Sequence, residues 1–400
     1  MSIALIPFYL KWLGSEQWGV VAICMAIQGI LGILDAGLGQ IMPRDVARVS
    51  ADTVARVHVF RVFSSAYFVL ALAGLILGQI FAHWLAKSWF GQGQSMGEEG
   101  ELALRFVFCQ FFFQFANNAH IGYWNGIQAQ ATANFRQCFF GSIKHAGALI
   151  SVYAWKPNAI AYILPFFIFS AAEYFFNRRS VTGSLKGVVL RRLSITDFKV
   201  LAREAGALAF GVVIGMLVSQ MDRIVLSRAV GAADFGRYVI VANLGLALMQ
   251  LQYPLLRAFF PKIASEGGNR NFWLLGLAVL FLCAVPCLCI VAFAPLLLQV
   301  WTGNELLVMS GTAPFRLIVG AVMVNAFYHL IYQRIVLCGK GRLVVMINVV
   351  GLIVVASLLF LFAPKYGILM GGVAWLVGSI SQFVFGLAWV LKSSGRWSSK

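Results

Sequence analysis

Apolar runs of about twenty residues recur along this chain, and they restrict its fold more than any motif does. At a rise of ~1.5 Å per residue, twenty helical residues cross a hydrocarbon layer of ~30 Å. Eleven complete crossings are expected, at 18–42, 62–84, 102–124, 136–155, 158–176, 205–224, 237–256, 272–294, 314–333, 343–363 and 367–391. Only 11% of the 400 residues are charged and 60% are apolar, whereas a soluble domain carries roughly 25% charged residues. No alternating ten-residue pattern suggests a barrel. The chain therefore reads as an all-α polytopic membrane protein. Residues 1–13, MSIALIPFYLKWL, form a further apolar run that is too short to span. No basic residue precedes its apolar part, which sets it apart from a cleavable signal.

The basic residues orient these spans. The connections 43–61, 125–136, 177–204, 257–271, 334–342 and 392–400 hold 21 of the 31 Lys and Arg, and the alternate set holds seven. Basic loops stay in the cytoplasm, so both termini are expected there. The same sorting accounts for most of the net charge of +17 and removes nucleic acid as the partner that charge would otherwise suggest.

Two short stretches repeat. LGSEQWG (13–19) and VGAADFG (230–236) lie 217 positions apart, aligning Gly14 with Gly231, Trp18 with Phe235 and Gly19 with Gly236. MPRDVAR (42–48) then falls near FFPKIAS (259–265). Six crossings separate the copies, so both enter the membrane in the same direction, as in transporters built from parallel repeats. The expected organisation is about twelve transmembrane helices. A six-helix lobe spans 1–180, a basic cytoplasmic linker 181–204, and a second six-helix lobe 205–400. Shifting the span 205–224 back by one repeat places its partner partly before Met1, so the first helix is expected to be truncated.

YLKWLGSEQWGVVAI, followed by GILDAGLGQ (32–40), resembles the opening of polysaccharide flippases. These are the Wzx-type members of the multidrug/oligosaccharidyl-lipid/polysaccharide exporter superfamily. SQMDRIVLSRAVGAADFGRY (219–238) resembles that family's entry into its second lobe. The resemblance implies two lobes around a central cavity in the bacterial inner membrane. The substrate it implies is an undecaprenyl-pyrophosphate-linked oligosaccharide, moved to the outer leaflet by alternating access for O-antigen, capsule or exopolysaccharide synthesis. A polysaccharide polymerase and a chain-length regulator are the candidate partners, beside membrane lipid.

Ionisable and amide residues at membrane depth are the candidate site. Lys144 and His145 lie about 15 Å from the outer interface at helical rise, where the cation needs an anionic partner, water or a substrate phosphate. Gln110, Gln114, Asn117 and Asn118 recur on one helical face, with Phe111, Phe112, Phe113 and Phe115 around them. Such a stripe suits a cavity wall that hydrogen-bonds sugar hydroxyls, although helix-to-helix amide bonds would also satisfy it. Asp35 fits the family's D-x-G-L-G pattern and is expected to pair with Arg44 or with a base of the other lobe. Arg44, Arg48, Arg257 and Arg334 lie at the cytoplasmic mouth, where positive-inside sorting places arginines anyway. Ser219, Asp222 and Arg223 share a polar face near the outer end of the seventh helix. Pro165 and Pro286 interrupt the middle of spans and are expected to bend them locally.

No G-x-x-x-x-G-K-[ST] loop occurs, and CAVPCLC lacks the spacing of a metal site. Neither cofactor nor metal is expected. A membrane polymerase or glycosyltransferase needs acid, base and nucleophile positioned together, and no loop supplies such a set. A drug or cation exporter of the same superfamily would favour intramembrane carboxylates, and Asp35, Glu173 and Asp222 are the only acids near the spans. Basic and amide groups suit a pyrophosphate-sugar better.

Overall fold

The structure is a computed structural model that describes residues 2–35, 37–49, 51–90, 94–185, 193–252, 255, 269–338 and 340–393. These contain fourteen α-helices, and no strand occurs among the described residues. Packing divides the chain into two compact units, Met1–Ser2 with Lys11–Met216 and Ile3–Leu10 with Leu217–Lys400.

The first unit draws on α1 (Ser2–Leu31), α2 (Leu38–Arg48), α3 (Thr53–Phe90), α4 (Gln94–Gly126), α5 (Gln130–Ala154), α6 (Ala159–Ser184) and the start of α7 (Ile195–Ala229). Helix α4 packs against α2, α3 and α6, and α5 lies on α6. The core joins Tyr67, Phe111, Phe115, Tyr123 and Trp124 to Ile41, Met42 and Val46 of α2.

The expected span 18–42 is not one helix, and this corrects the sequence reading. Helix α1 stops at Leu31, a 3₁₀ turn covers Gly32–Asp35, and α2 begins a new direction at Leu38. The cause is Gly37, whose φ of 85° lies in the left-handed region that a side chain disfavours. Helix α2 buries Leu38, Ile41, Met42 and Val46 at helical spacing, leaving Arg44 and Arg48 exposed.

The second unit takes the rest of α7, then α8 (Ala232–Ala247), α9 (Asn269–Val279), α10 (Val285–Ala292), α11 (Ala294–Thr302), α12 (Glu305–Leu337), α13 (Gly341–Tyr366) and α14 (Leu369–Ser393). Helix α12 packs against α8 and α14, and α13 packs against α14. A π turn over Leu280–Ala284 joins α9 to α10 immediately before Pro286, a local irregularity of the kind a mid-span proline brings. Pro165 sits inside the uninterrupted α6.

Both copies of the short motif fall at breaks between helical segments. Gly14 breaks α1 with φ 72° and ψ 172°, and Gly231 is the extended residue between α7 and α8. The aromatic four residues on is buried both times, Trp18 at 3% exposure and Phe235 at 0%. In the first copy, Gln17 ties the junction to the start of α6. Its Oε1 accepts the Ala159 N–H at 2.9 Å, and its Nε2 donates to Glu99 at 3.0 Å. Glu99 also accepts from Lys156 and Asn158, each at 3.3 Å.

Burial alone would raise the Glu99 carboxyl, but the hydrogen bonds from Gln17, Asn158 and Lys156 outweigh it and hold it below its ordinary value of 4.5. A carboxyl depressed on folding stabilises above its unfolded value, and that contribution fades as pH falls through the folded one. The thermal stability gap between the protein and Glu99→Gln is therefore expected to be full at neutral pH and to close as pH drops below 4.5. A gap of constant size across that range would contradict the assignment.

Among the described residues, eight stretches are long and apolar enough to cross a membrane: Ala4–Asp35, Thr53–Trp89, Ala159–Gly183, Ala232–Gln250, Phe272–Ala292, Glu305–Ile335, Arg342–Tyr366 and Leu369–Lys392. Large apolar side chains such as Ile80, Ile150, Phe281 and Leu361 stand exposed on them or on their neighbours, as a lipid-facing surface requires. Three further long helices, α4, α5 and α7, coincide with the expected crossings 102–124, 136–155 and 205–224. They are less apolar because they carry the polar residues described next.

Candidate functional site

The amide stripe of α4 and the cation of α5 meet in one cavity of the first unit. The cavity measures about 260 Å³. Gln110 and Gln114 line it from α4, Lys144 and His145 from α5, Gln28 and Cys24 from α1, and Tyr162 and Phe166 from α6. Gln110 lies one helical turn from Gln114 and donates to its Oε1 at 3.4 Å. The wall thus combines amides, one cation and aromatic faces.

Lys144 is buried, and its Nζ donates to Glu173 Oε2 at 2.6 Å. Of the three answers that the sequence left open for this charge, the structure supplies the anionic partner, a carboxylate of the same unit. An unpaired buried charge would cost several kcal/mol, which is why the two groups approach. The pairing extends into a ladder across three helices. Glu173 Oε1 accepts from Asn117 at 3.0 Å, and Asn117 Oδ1 accepts from Asn177 at 3.0 Å. Arg136 then donates to Asn177 Oδ1 and to Ser180 Oγ, both at 3.0 Å. Its guanidinium lies 4.6 Å from the Trp124 ring centre and 4.7 Å from that of Phe176, a cation–π setting on both rings.

The four amides expected on one wall therefore divide. Gln110 and Gln114 face the cavity, Asn117 belongs to the ladder, and Asn118 is exposed outside both. Asp35 does not line the cavity. It accepts from the Tyr67 hydroxyl at 2.7 Å and from the Gly39 N–H at 3.2 Å, placing its charge at the N-terminus of α2 where the helix dipole favours it. The expected Asp35–Arg44 pair is thus replaced, and Arg44 Nε instead donates to Asp45 at 2.9 Å. Arg48 approaches the same Asp45 oxygen at 3.6 Å. Arg334 is partly buried on α12, and Arg257 lies outside the described residues.

The second unit has its own buried carboxylate. Asp222 is 2% exposed, and its Oδ2 accepts from Tyr238 of α8 at 2.5 Å and Trp375 of α14 at 3.0 Å. The neighbouring Arg223 donates instead to Asn243 at 2.6 Å. Ser219 is half-buried one turn before them on α7. The expected polar face is real at the backbone, but its members serve separate partners.

Sequence reasoning missed Arg136, Asn177 and Ser180, and passed over Glu173 as a partner for Lys144. The spacing Glu173, Asn177, Ser180 places three polar residues on one face of α6, and that signal was available.

No family model matches the sequence. A Shigella flexneri protein described as an O-antigen transporter is 23% identical over 389 residues, covering 94% of this chain and 90% of that protein. An inward-facing multidrug-resistance MATE-family transporter of the MOP superfamily matches with a TM-score of 0.79, 16% identity and coverage of 99% of this chain and 95% of that one. The lipid II flippase MurJ matches at a TM-score of 0.71 with 12% identity, covering 98% of this chain and 88% of its own. The fold is that of MOP-superfamily transporters, and its long apolar helices make the chain a multi-pass membrane protein. Within that class it is similar to the O-antigen transporter, in line with the resemblance read from residues 9–40 and 219–238.

Proposed function

We propose that the protein is a flippase that moves a polyprenyl-pyrophosphate-linked oligosaccharide across the bacterial inner membrane by alternating access, with both termini in the cytoplasm. The observation that carries this reading is the cavity lined by Gln110, Gln114, Gln28 and Lys144, the last held by Glu173 behind it. A sugar headgroup left in hydrocarbon loses several kcal/mol per unsatisfied polar group, so its passage needs amides and charges fixed at membrane depth. The pair is close to neutral overall, which suits hydroxyl-rich sugars. Pyrophosphate engages it only by competing with Glu173 for Lys144. The relative from Shigella flexneri supports the substrate class, and MurJ offers a flippase precedent on the same fold.

The test is translocation in proteoliposomes. Purified protein is expected to move a fluorescent polyprenyl-pyrophosphate oligosaccharide from inner to outer leaflet. Gln110→Leu/Gln114→Leu, which makes the wall apolar without burying a new polar group, is expected to slow it at least roughly tenfold, the effect of one lost hydrogen-bonded contact of about 1.4 kcal/mol. Equal rates for the two proteins would exclude the cavity as the route.

A further inference from the structure

A second cavity of about 550 Å³ lies between α3 and α6 of the first unit, apart from the one above. We propose that it holds the headgroup of an anionic phospholipid, with the phosphate on Arg61 and Arg178.

The lining supports that ligand chemistry. Helix α3 contributes Arg61, Ser64 and Ser65, and α6 contributes Arg178 and Thr182, each set at helical spacing along one face. Two guanidiniums and two serine hydroxyls are donors matched to phosphate oxygens. The Thr182 hydroxyl is already committed to the Arg178 carbonyl at 2.7 Å. Among the described residues, no carboxylate forms an ion pair with Arg178. His120, at 2% exposure, also lines the cavity, with its ring packed 5.9 Å from Phe60 and 5.5 Å from Tyr174.

The rim points to a lipid in place of a soluble phosphate. Phe68 and Val69 border the cavity at 41% and 61% exposure. From Val69 the exposed apolar side chains Leu72, Ile76 and Ile80 continue along the same helix at helical spacing. Eleven residues of helix span about 16 Å, close to one leaflet of a ~30 Å hydrocarbon layer. A headgroup seated between the arginines thus has an acyl chain's length of apolar surface leading away from it. Arg61 and Arg178 also lie at the ends of α3 and α6 that the charge distribution assigns to the cytoplasm, where anionic lipid headgroups attract basic residues.

The experiment is native mass spectrometry of the full chain released from nanodiscs, counting retained phosphatidylglycerol against phosphatidylcholine, with inorganic pyrophosphate as a competitor. Selective retention of phosphatidylglycerol is expected, with roughly tenfold weaker binding in Arg61→Gln/Arg178→Gln. Arg179→Gln, which removes an equal charge one residue away outside the lining, is expected to leave retention unchanged. Should the double variant fail to purify, Arg178→Lys keeps the charge but loses the planar fork, and a partial loss is expected. Unchanged retention in the Arg61/Arg178 variant, or an equal loss in Arg179→Gln, would overturn the proposal. Displacement of the lipid by pyrophosphate as readily as by phosphatidylglycerol would overturn the choice of a lipid.

Discussion

Lys144→Met is expected to prevent stable folding of the first unit, whereas Lys144→Met/Glu173→Met restores it. Removing the cation leaves Glu173 buried at 7% exposure with Asn117 as its remaining donor. Breaking a buried pair from one side costs about 3–5 kcal/mol, while replacing both members with apolar groups of similar volume is often neutral or stabilising. Total stability is of order 5–15 kcal/mol, so the single change consumes much of it. Thermal unfolding of detergent-solubilised protein measures the effect, and the double variant separates the two roles of the pair. A double variant that folds yet does not transport assigns the charges to the substrate pathway. One that folds and transports at the normal rate makes the pair structural. A single Lys144→Met variant as stable as the parent would show that the carboxylate finds water or another donor.

The second large effect is expected at Asp222→Ala. Tyr238 and Trp375 both donate to the carboxylate from inside the second unit. Without the acceptor, the buried Tyr238 and the partly buried Trp375 lose their bonds, at about 1–3 kcal/mol each when fully buried. A loss of roughly 3 kcal/mol is expected. Asp222→Asn retains an oxygen for one or both donors and is expected to cost less than half as much. The ordering of the two variants is the decisive feature. If Asn is as damaging as Ala, the negative charge itself is required, and the carboxylate has a role beyond accepting these bonds.

The all-α membrane fold was legible because its cause is distributed. Every apolar run of about twenty residues carries the same message, and single errors do not accumulate. The two glycine–aromatic junctions were legible for the opposite reason: Gly14 and Gly231 each sit at a helix break, and Trp18 and Phe235 four residues on are buried. The break at Gly37 was missed because an apolar count cannot register a single left-handed residue between Leu31 and Leu38. The site was half legible. Lys144, Gln110 and Gln114 stand out as polar residues in apolar helices, and the structure brings them to one cavity. Their partners depend on which helix lies alongside, a long-range property of packing. Glu173 lies 29 positions from Lys144, and no local pattern links the two. Asp35 failed in the same way, since its hydroxyl partner is Tyr67, 32 positions on.

The most direct test of the account places the Gln110→Leu/Gln114→Leu variant in a bacterium that lacks its own oligosaccharide flippase but makes the matched lipid-linked unit. The unaltered chain is expected to restore surface polysaccharide. The variant, present in the membrane at equal abundance, is expected to leave the lipid-linked unit accumulating on the cytoplasmic side. Surface polysaccharide restored equally by both would contradict the claim that this cavity carries the sugar across.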